Sequence, residues 1–440
     1  MPSLVALAVT ASAFQLTAAA PWGTWWGPKN GGHGYGPGNG NGNGNGNGNG
    51  NNQQGINVQL GPRPYYLVDN MDAGPLKDKL ESCANVDFQT STYSISHRGA
   101  PLMFPEHSRQ GYMAAARMGA GIIECDVSFT SDRELVCRHS NCDLHYTTNL
   151  LENPELAAKC SEPFVPADPD AGTPASAKCC TSDITFAEFK SLCALMEATS
   201  ADAVNTTIDQ GRIGTTPRWR TDMYATCAEP MGHKEYIQLV DSMGLDFTAE
   251  AKTPEVPMPF QGDYTQEDFA QQIVDEYNEA GINSSRVWLQ SFLPDDIFYW
   301  IENDPDFGKQ AIYLDERADL NATGYDEAVA SLPGLKARGV NIVAPSTWQL
   351  LTNETGAITP STYATAAKAA GLDIITWSLE RSGPLATGGG YYYESVMNLI
   401  NNDGDEYTVI DVLAQQVGVL KIFSDWAATV TYYANCFGLE

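Results

Sequence analysis

Residues 119–139 read GAGIIECDVSFTSDRELVCRH. The apolar run Ile122–Phe129 predicts a strand. Residues two apart in a strand point to the same side, so Glu124 and Asp126 converge while Cys125 faces the other way. Two carboxylates on one face at a strand's end repel unless something neutralises them. A hard divalent cation, Ca²⁺ or Mg²⁺, does this best because both prefer oxygen ligands.

Outward from this stretch the chain keeps a strand-then-helix rhythm. Further strands are expected at Tyr93–Ser96, Leu245–Ala249, Val287–Gln290, Ala311–Leu314, Asn341–Ala344, Asp373–Trp377 and Val419–Phe423. Helical patterns separate most of them: His107–Met118, Gln266–Ala280, Tyr325–Ala337 and Pro360–Ala370. Eight strands alternating with helices point to an α/β fold, a closed parallel (β/α)₈ barrel rather than an open sheet. One interval breaks the rhythm. Residues 140–232 hold Cys142, Cys160, Cys179, Cys180, Cys193 and Cys227, many turn formers, and one clear helical stretch, Phe186–Met196. This is expected to be a disulfide-stapled insertion after the second strand, its internal pairing left open. Without it the barrel is close to the ~250 residues typical of the architecture. An insertion on the C-terminal side of a strand should overhang the site.

The chain has 440 residues, 43% of them hydrophobic, with 25 basic against 54 acidic side chains and a net charge of −29. That balance, with no Lys/Arg-rich run, argues against nucleic acid as a partner. The first twenty residues carry no charged side chain and end in Ala18-Ala19-Ala20, which reads as a signal peptide. Residues 21–56, with Trp22, Trp25, Trp26 and the Asn-Gly alternation from Gly38 to Asn51, read as a flexible linker that could touch a cell-wall glycan. Residues 57–440 are then the barrel domain. No later stretch reaches the ~18 apolar residues of a membrane span. Ten cysteines and four glycosylation sequons (Asn205, Asn283, Asn321, Asn353) agree with a secreted, extracellular protein. Cys83 and Cys436 flank the barrel and are placed to clasp its ends, which leaves Cys125 with Cys137.

Other chemistry-bearing residues fall at predicted strand ends. His97 and Arg98 follow the first strand, and His139 closes the quoted stretch. Glu250 and Lys252 share a face of the next barrel strand. The histidines suit acid–base work, and Arg98 and Lys252 suit a phosphate.

These motifs resemble the glycerophosphodiester phosphodiesterase family, in its secreted and periplasmic branch. The resemblance rests on His97-Arg-Gly-Ala100, Pro105-Glu-His-Ser108, the quoted block, Ala249-Glu-Ala-Lys252, Trp288-Leu-Gln-Ser-Phe292, Ile375-Thr-Trp377 and Ile422-Phe-Ser-Asp425. It runs from about Ser94 to Asp425, minus the insertion. It implies a TIM barrel that hydrolyses a glycerophosphodiester to glycerol 3-phosphate and an alcohol with one divalent cation. Glu124, Asp126 and Glu250 would hold that cation, His97 and His139 would be the acid–base pair, and Arg98 and Lys252 would clamp the phosphate. Trp377 would line the glycerol side, with Gln290 and Glu106 supporting from behind. Ser140 stands where the family has Asp after the second histidine, with Asp143 three residues on as a substitute, and Glu380 stands where Asn is usual. A phospholipase D-like lyase forming a cyclic phosphate, and a surface barrel with weak catalysis, are the alternatives.

Overall fold

The computed structural model describes residues 56–440 apart from 199, 207–215, 222, 225 and 321–322. The signal peptide, the Trp/Asn/Gly linker with its cell-wall contact, and Asn321 therefore lie outside the described residues.

Eight parallel strands among these residues close into a barrel: β1 Ser91–Ser96, β2 Ala120–Phe129, β3 Asp246–Ala251, β4 Val287–Ser291, β5 Ile312–Asp315, β6 Ile342–Pro345, β7 Asp373–Leu379 and β8 Lys421–Ser424. They pair in chain order, and β8 returns to β1 with Ser96 opposite Ser424. All eight expected strands are present, so the chain folds as a (β/α)₈ TIM barrel. Side chains alternate across the wall. Ile95, Ile122, Ile312, Leu314, Ile342, Ile375 and Phe423 fill the interior, while Cys125, Ala249, Leu289 and Val343 face the helices. At Gly121 a Cβ would lie 2.5 Å from the Ser91 carbonyl oxygen, so only glycine lets β1 and β2 approach this closely.

The helices start where the chain supplies caps. Ser108 accepts from the Gly111 amide and opens Arg109–Arg117. Thr265 and Asp268 form a capping box at Gln266–Glu279, and Ser361 caps Thr362–Ala369. Two N-terminal helices, Arg63–Asn70 and Pro75–Ser82, pack near the last helix, Ala428–Phe437, where the Tyr432 hydroxyl donates to the Leu80 carbonyl (2.7 Å). Cys83 bonds to Cys436 beside this contact, and Cys125 bonds to Cys137 across the antiparallel pairing of β2 with Leu135–Cys137.

The insertion is more structured than its sequence suggests. It contains short helices Leu144–Thr147 and Pro154–Ala157 and an antiparallel pair, Glu162–Val165 with Ser176–Lys178. Its disulfides are Cys142–Cys180, Cys160–Cys179 and Cys193–Cys227, around a small core of Leu144, Leu150, Leu156, Ile184 and Phe189. The helix expected over Phe186–Met196 stops at Lys190. Beyond it, bridges from Ala194 to Thr148 and Ala228, and the disulfide at Cys193, hold the chain extended against its helical periodicity.

Candidate functional site

Asp126, Glu250 and Gln290 are register partners on β2, β3 and β4, so inward-facing polar groups form one row across three adjacent strands. Glu124 sits two residues earlier on β2 and faces the same way. The carboxylates of Glu124, Asp126 and Glu250 bring one oxygen each within 4.8 Å of one another, all buried. Gln290 Nε2 donates to Glu124 Oε1 (2.8 Å), and the Arg98 amide donates to Glu124 Oε2 (2.8 Å) from a backbone with φ 57°. His107 Nε2 donates to Asp126 Oδ2 (2.9 Å), while its Nδ1 accepts from the Tyr112 hydroxyl (2.9 Å). Asp126 Oδ1 is buried without a hydrogen-bond partner.

The electrostatics of the triad follow from crowding. Burial, then Asp126 and Glu250, push the Glu124 carboxyl well above the usual range. Burial, reinforced by Asp126 and opposed by Lys252, pushes Glu250 up to about 8. Burial also works against Asp126, but His107, Lys252 and Arg98 outweigh it and hold that group well below its ordinary value. Three carboxylates this close cannot all ionise unaided. An all-oxygen donor set with an orphaned buried oxygen fits a hard divalent cation, so the triad could hold one.

The triad opens into a cavity of about 500 Å³ at the C-terminal ends of the strands, lined among others by His97, Arg98, His139, Lys252, Gln290 and Trp377. Every catalytic, metal and substrate residue expected from the sequence is therefore in or beside one cavity. Lys252 Nζ lies 2.7 Å from Glu250 Oε1. Arg98 donates to Glu106 (3.1 Å), and Glu106 also receives Arg381 (2.7 Å), so it supports Arg98 from behind. The Trp377 indole donates to the Ala344 carbonyl (2.9 Å) and meets Phe292 edge to face.

His97 Nδ1 donates to Asp425 Oδ1 (2.6 Å), with Ser378 Oγ 3.0 Å from the same nitrogen. Burial, then the Arg98 charge, against Asp425, push this imidazole down to about 4. Burial, Arg98 and Lys252 also push His139 well below its ordinary value, and among the described residues it makes no hydrogen bond. Asp143 does not take the place of the missing aspartate. Its carboxylate accepts from the Ser140 amide (3.2 Å) and the Thr147 hydroxyl (3.2 Å), beside Arg138. Ser140 instead donates its hydroxyl to Glu255. Glu380 turns away to Ser424 (2.6 Å) and Arg63 (3.5 Å).

Four further residues complete this site without a local sequence signal for their part in it: Asp425, Arg381, Arg220 and His107. Arg381 pairs with Asp425 (3.1 Å), and Arg220, carried by the insertion, reaches Glu106 (3.4 Å) and the Pro101 carbonyl (2.8 Å). The insertion thus borders the site, as expected from its place after β2. The Asp425–His97 contact spans 328 residues and has no local signal. Of the described sequons, Asn205 and Asn283 are exposed and Asn353 is partly buried beside Asn398.

Residues 97–382 match the model of the Glycerophosphoryl diester phosphodiesterase family. An extracellular protein of Arthroderma benhamiae is 52% identical over 229 residues, covering 51% of this chain and 93% of that protein. A glycerophosphodiester phosphodiesterase of Arabidopsis thaliana is 33% identical over 95 residues, 21% of this chain and 25% of its own. A solved structure from Silicibacter pomeroyi, named for the same family, superposes with a TM-score of 0.50 at 16% identity, over 82% of this chain and 98% of the other. That likeness speaks to the fold. No helix among the described residues is long and apolar enough to cross a membrane.

Proposed function

Because this chain belongs to the glycerophosphoryl diester phosphodiesterase family, we propose that it is an extracellular, cation-dependent hydrolase cleaving glycerophosphodiesters, such as glycerophosphocholine, to glycerol 3-phosphate and an alcohol. The observation that carries this reading is the meeting of Glu124, Asp126 and Glu250 with two histidines, Arg98 and Lys252 around one cavity. Ca²⁺ or Mg²⁺ held by those three carboxylates would supply Lewis-acid neutralisation of the phosphoryl charge. Gln290 and the Arg98 amide keep Glu124 aimed, and His107 does the same for Asp126. Arg98 and Lys252 bind the non-bridging phosphate oxygens and stabilise charge as it builds in the transition state.

Asp425 holds the Nδ1–H of a neutral His97, which leaves the Nε2 lone pair to accept a proton from the water that attacks phosphorus. His139 then delivers a proton to the leaving alcohol oxygen. The incoming phosphate anion offsets the Arg98 and Lys252 charges that depress His139 in the free protein. Trp377 offers an apolar face to the glycerol carbons. Five disulfides and the extracellular relative support export, and the exposed Asn205 and Asn283 are the sequons best placed for glycans.

The test is release of glycerol 3-phosphate from glycerophosphocholine in chelator and after adding Ca²⁺ or Mg²⁺. Turnover should require the cation, and His97→Ala or His139→Ala should each lower kcat by about 10²-fold or more. Near-normal rates in both variants would sink the histidine assignment. No release with any divalent ion would favour a non-catalytic surface protein.

A further inference from the structure

From the groups that bind phosphate and glycerol the cavity continues along a row of aromatic rings toward its mouth. Trp377 meets Phe292 at 5.9 Å and 85°, and Tyr392 at 6.1 Å and 79°. Tyr391 meets Tyr392 at 4.9 Å and 79°, so four rings form a continuous edge-to-face wall whose faces turn in different directions. The wall is pinned at two of its rings, by the Trp377 indole on the Ala344 carbonyl and by the Tyr391 hydroxyl on Asp319 (2.8 Å). Just before the tyrosines, Gly388, Gly389 and Gly390 all have positive φ (96°, 76°, 57°), a run that side-chain-bearing residues would strain. Tyr391 is 40% exposed, which puts it at the mouth.

Glu316, just past β5, lines the same cavity and is exposed. Its carboxylate makes no hydrogen bond or ion pair among the described residues. The other charged groups of the lining are engaged: Arg98 with Glu106, Glu124 with Gln290, Glu250 with Lys252, Glu255 with Ser140. Aromatic faces attract a cation, and a free carboxylate beside them adds to that attraction. A neutral polyol gains only the stacking, and an anionic alcohol is repelled.

We propose that Glu316 and the Tyr391–Tyr392 corner form a subsite for the alcohol side of the substrate, selecting diesters whose alcohol carries an ammonium group, with Glu316 as the specificity-determining residue. The proposal rests on the hydrolase reading above.

The experiment compares kcat/KM for glycerophosphocholine, glycerophosphoethanolamine and glycerophosphoglycerol, using the full chain loaded with Ca²⁺ or Mg²⁺. The two diesters whose alcohol carries an ammonium group should be preferred about ten-fold over the one with an uncharged alcohol, the ratio that one partly exposed cation contact supports. Glu316→Gln should bring that ratio toward one, and Glu316→Lys should invert it. Tyr391→Leu, checked for folding by circular dichroism, should lower it as an independent variant. A wild-type ratio near one, or a ratio unchanged in Glu316→Lys and Tyr391→Leu, overturns the proposal. If no diester is turned over, the hydrolase reading falls. The same ratio is then read from calorimetric Kd values for glycerophosphocholine and glycerophosphoglycerol, where equal values overturn the subsite.

Discussion

Stripping the cation should destabilise this protein increasingly as the pH rises from 5 to 8. In the metal-free fold Glu250 keeps its proton up to about 8, against 4.5 for an ordinary glutamate. At Glu250 the folded state therefore holds a proton that the unfolded one has lost through most of that window. A carboxyl raised in this way contributes stability that is fully present below 4.5 and is lost as pH rises through about 8. One such group changes stability by about 1.4 kcal/mol per pH unit, so on the order of 3 kcal/mol disappears between pH 5 and 7. Glu124, raised for the same reason, acts in the same direction. Asp126, held low, titrates below the window and leaves the slope unchanged. A bound cation displaces the protons and removes the effect. Calorimetric melting of one preparation, in EDTA and in excess Ca²⁺ or Mg²⁺ at matched ionic strength, isolates it, because repulsion from the net charge of −29 is common to both. The gap in Tm should be about 3–5 °C wider at pH 7 than at pH 5 for a chain of this size. Parallel curves, or a gap that narrows with rising pH, would refute the reasoning.

Three further outcomes are expected. Asp425→Asn keeps the shape of the partner but removes the charge that fixes the His97 tautomer, so kcat should fall by about 10³-fold or more with KM little changed; a loss under ten-fold would show that Asp425 only packs. Removing the Cys83–Cys436 bond with paired serine substitutions releases a loop spanning 353 residues, for which chain entropy gives a ceiling of about 6 kcal/mol. Denaturant unfolding should show a large loss of stability, with turnover at low temperature retained. Phosphorus NMR of the reaction should end on glycerol 3-phosphate, and a lasting cyclic phosphate as sole product would move the chain to lyase chemistry.

The parts legible in the sequence were those written at short range. The two-residue period of β2 alone put Glu124 and Asp126 on one face, and the same rule paired Glu250 with Lys252 on β3. All eight strands were legible because each is a short apolar run between turn formers. The contacts that finish the site were not, because they are made by closure. Asp425 reaches His97 only when β8 returns to β1, and Arg220 reaches Glu106 only when the insertion folds back over the barrel. The helix over Pro294–Asn303 has no clear signal in the sequence, because acidic and aromatic residues share one turn and blur its pattern. Asp143 shows the opposite error: near His139 in sequence, it is claimed by the Ser140 amide and Thr147 before it can reach the ring.

The clasp between Cys83 and Cys436 has a mechanical consequence. All eight barrel strands, the insertion and every residue of the site lie between the two cysteines. A pull applied to residues before Cys83 and to the C-terminal residues beyond Cys436 would travel through the sulfur–sulfur bond. The barrel in parallel with it would bear no load. Under tension only the segments outside the loop, among them helices Arg63–Asn70 and Pro75–Ser82, can be drawn out. Tethered by its ends, the enzyme would keep its cavity in working shape until a reductant cut the bond.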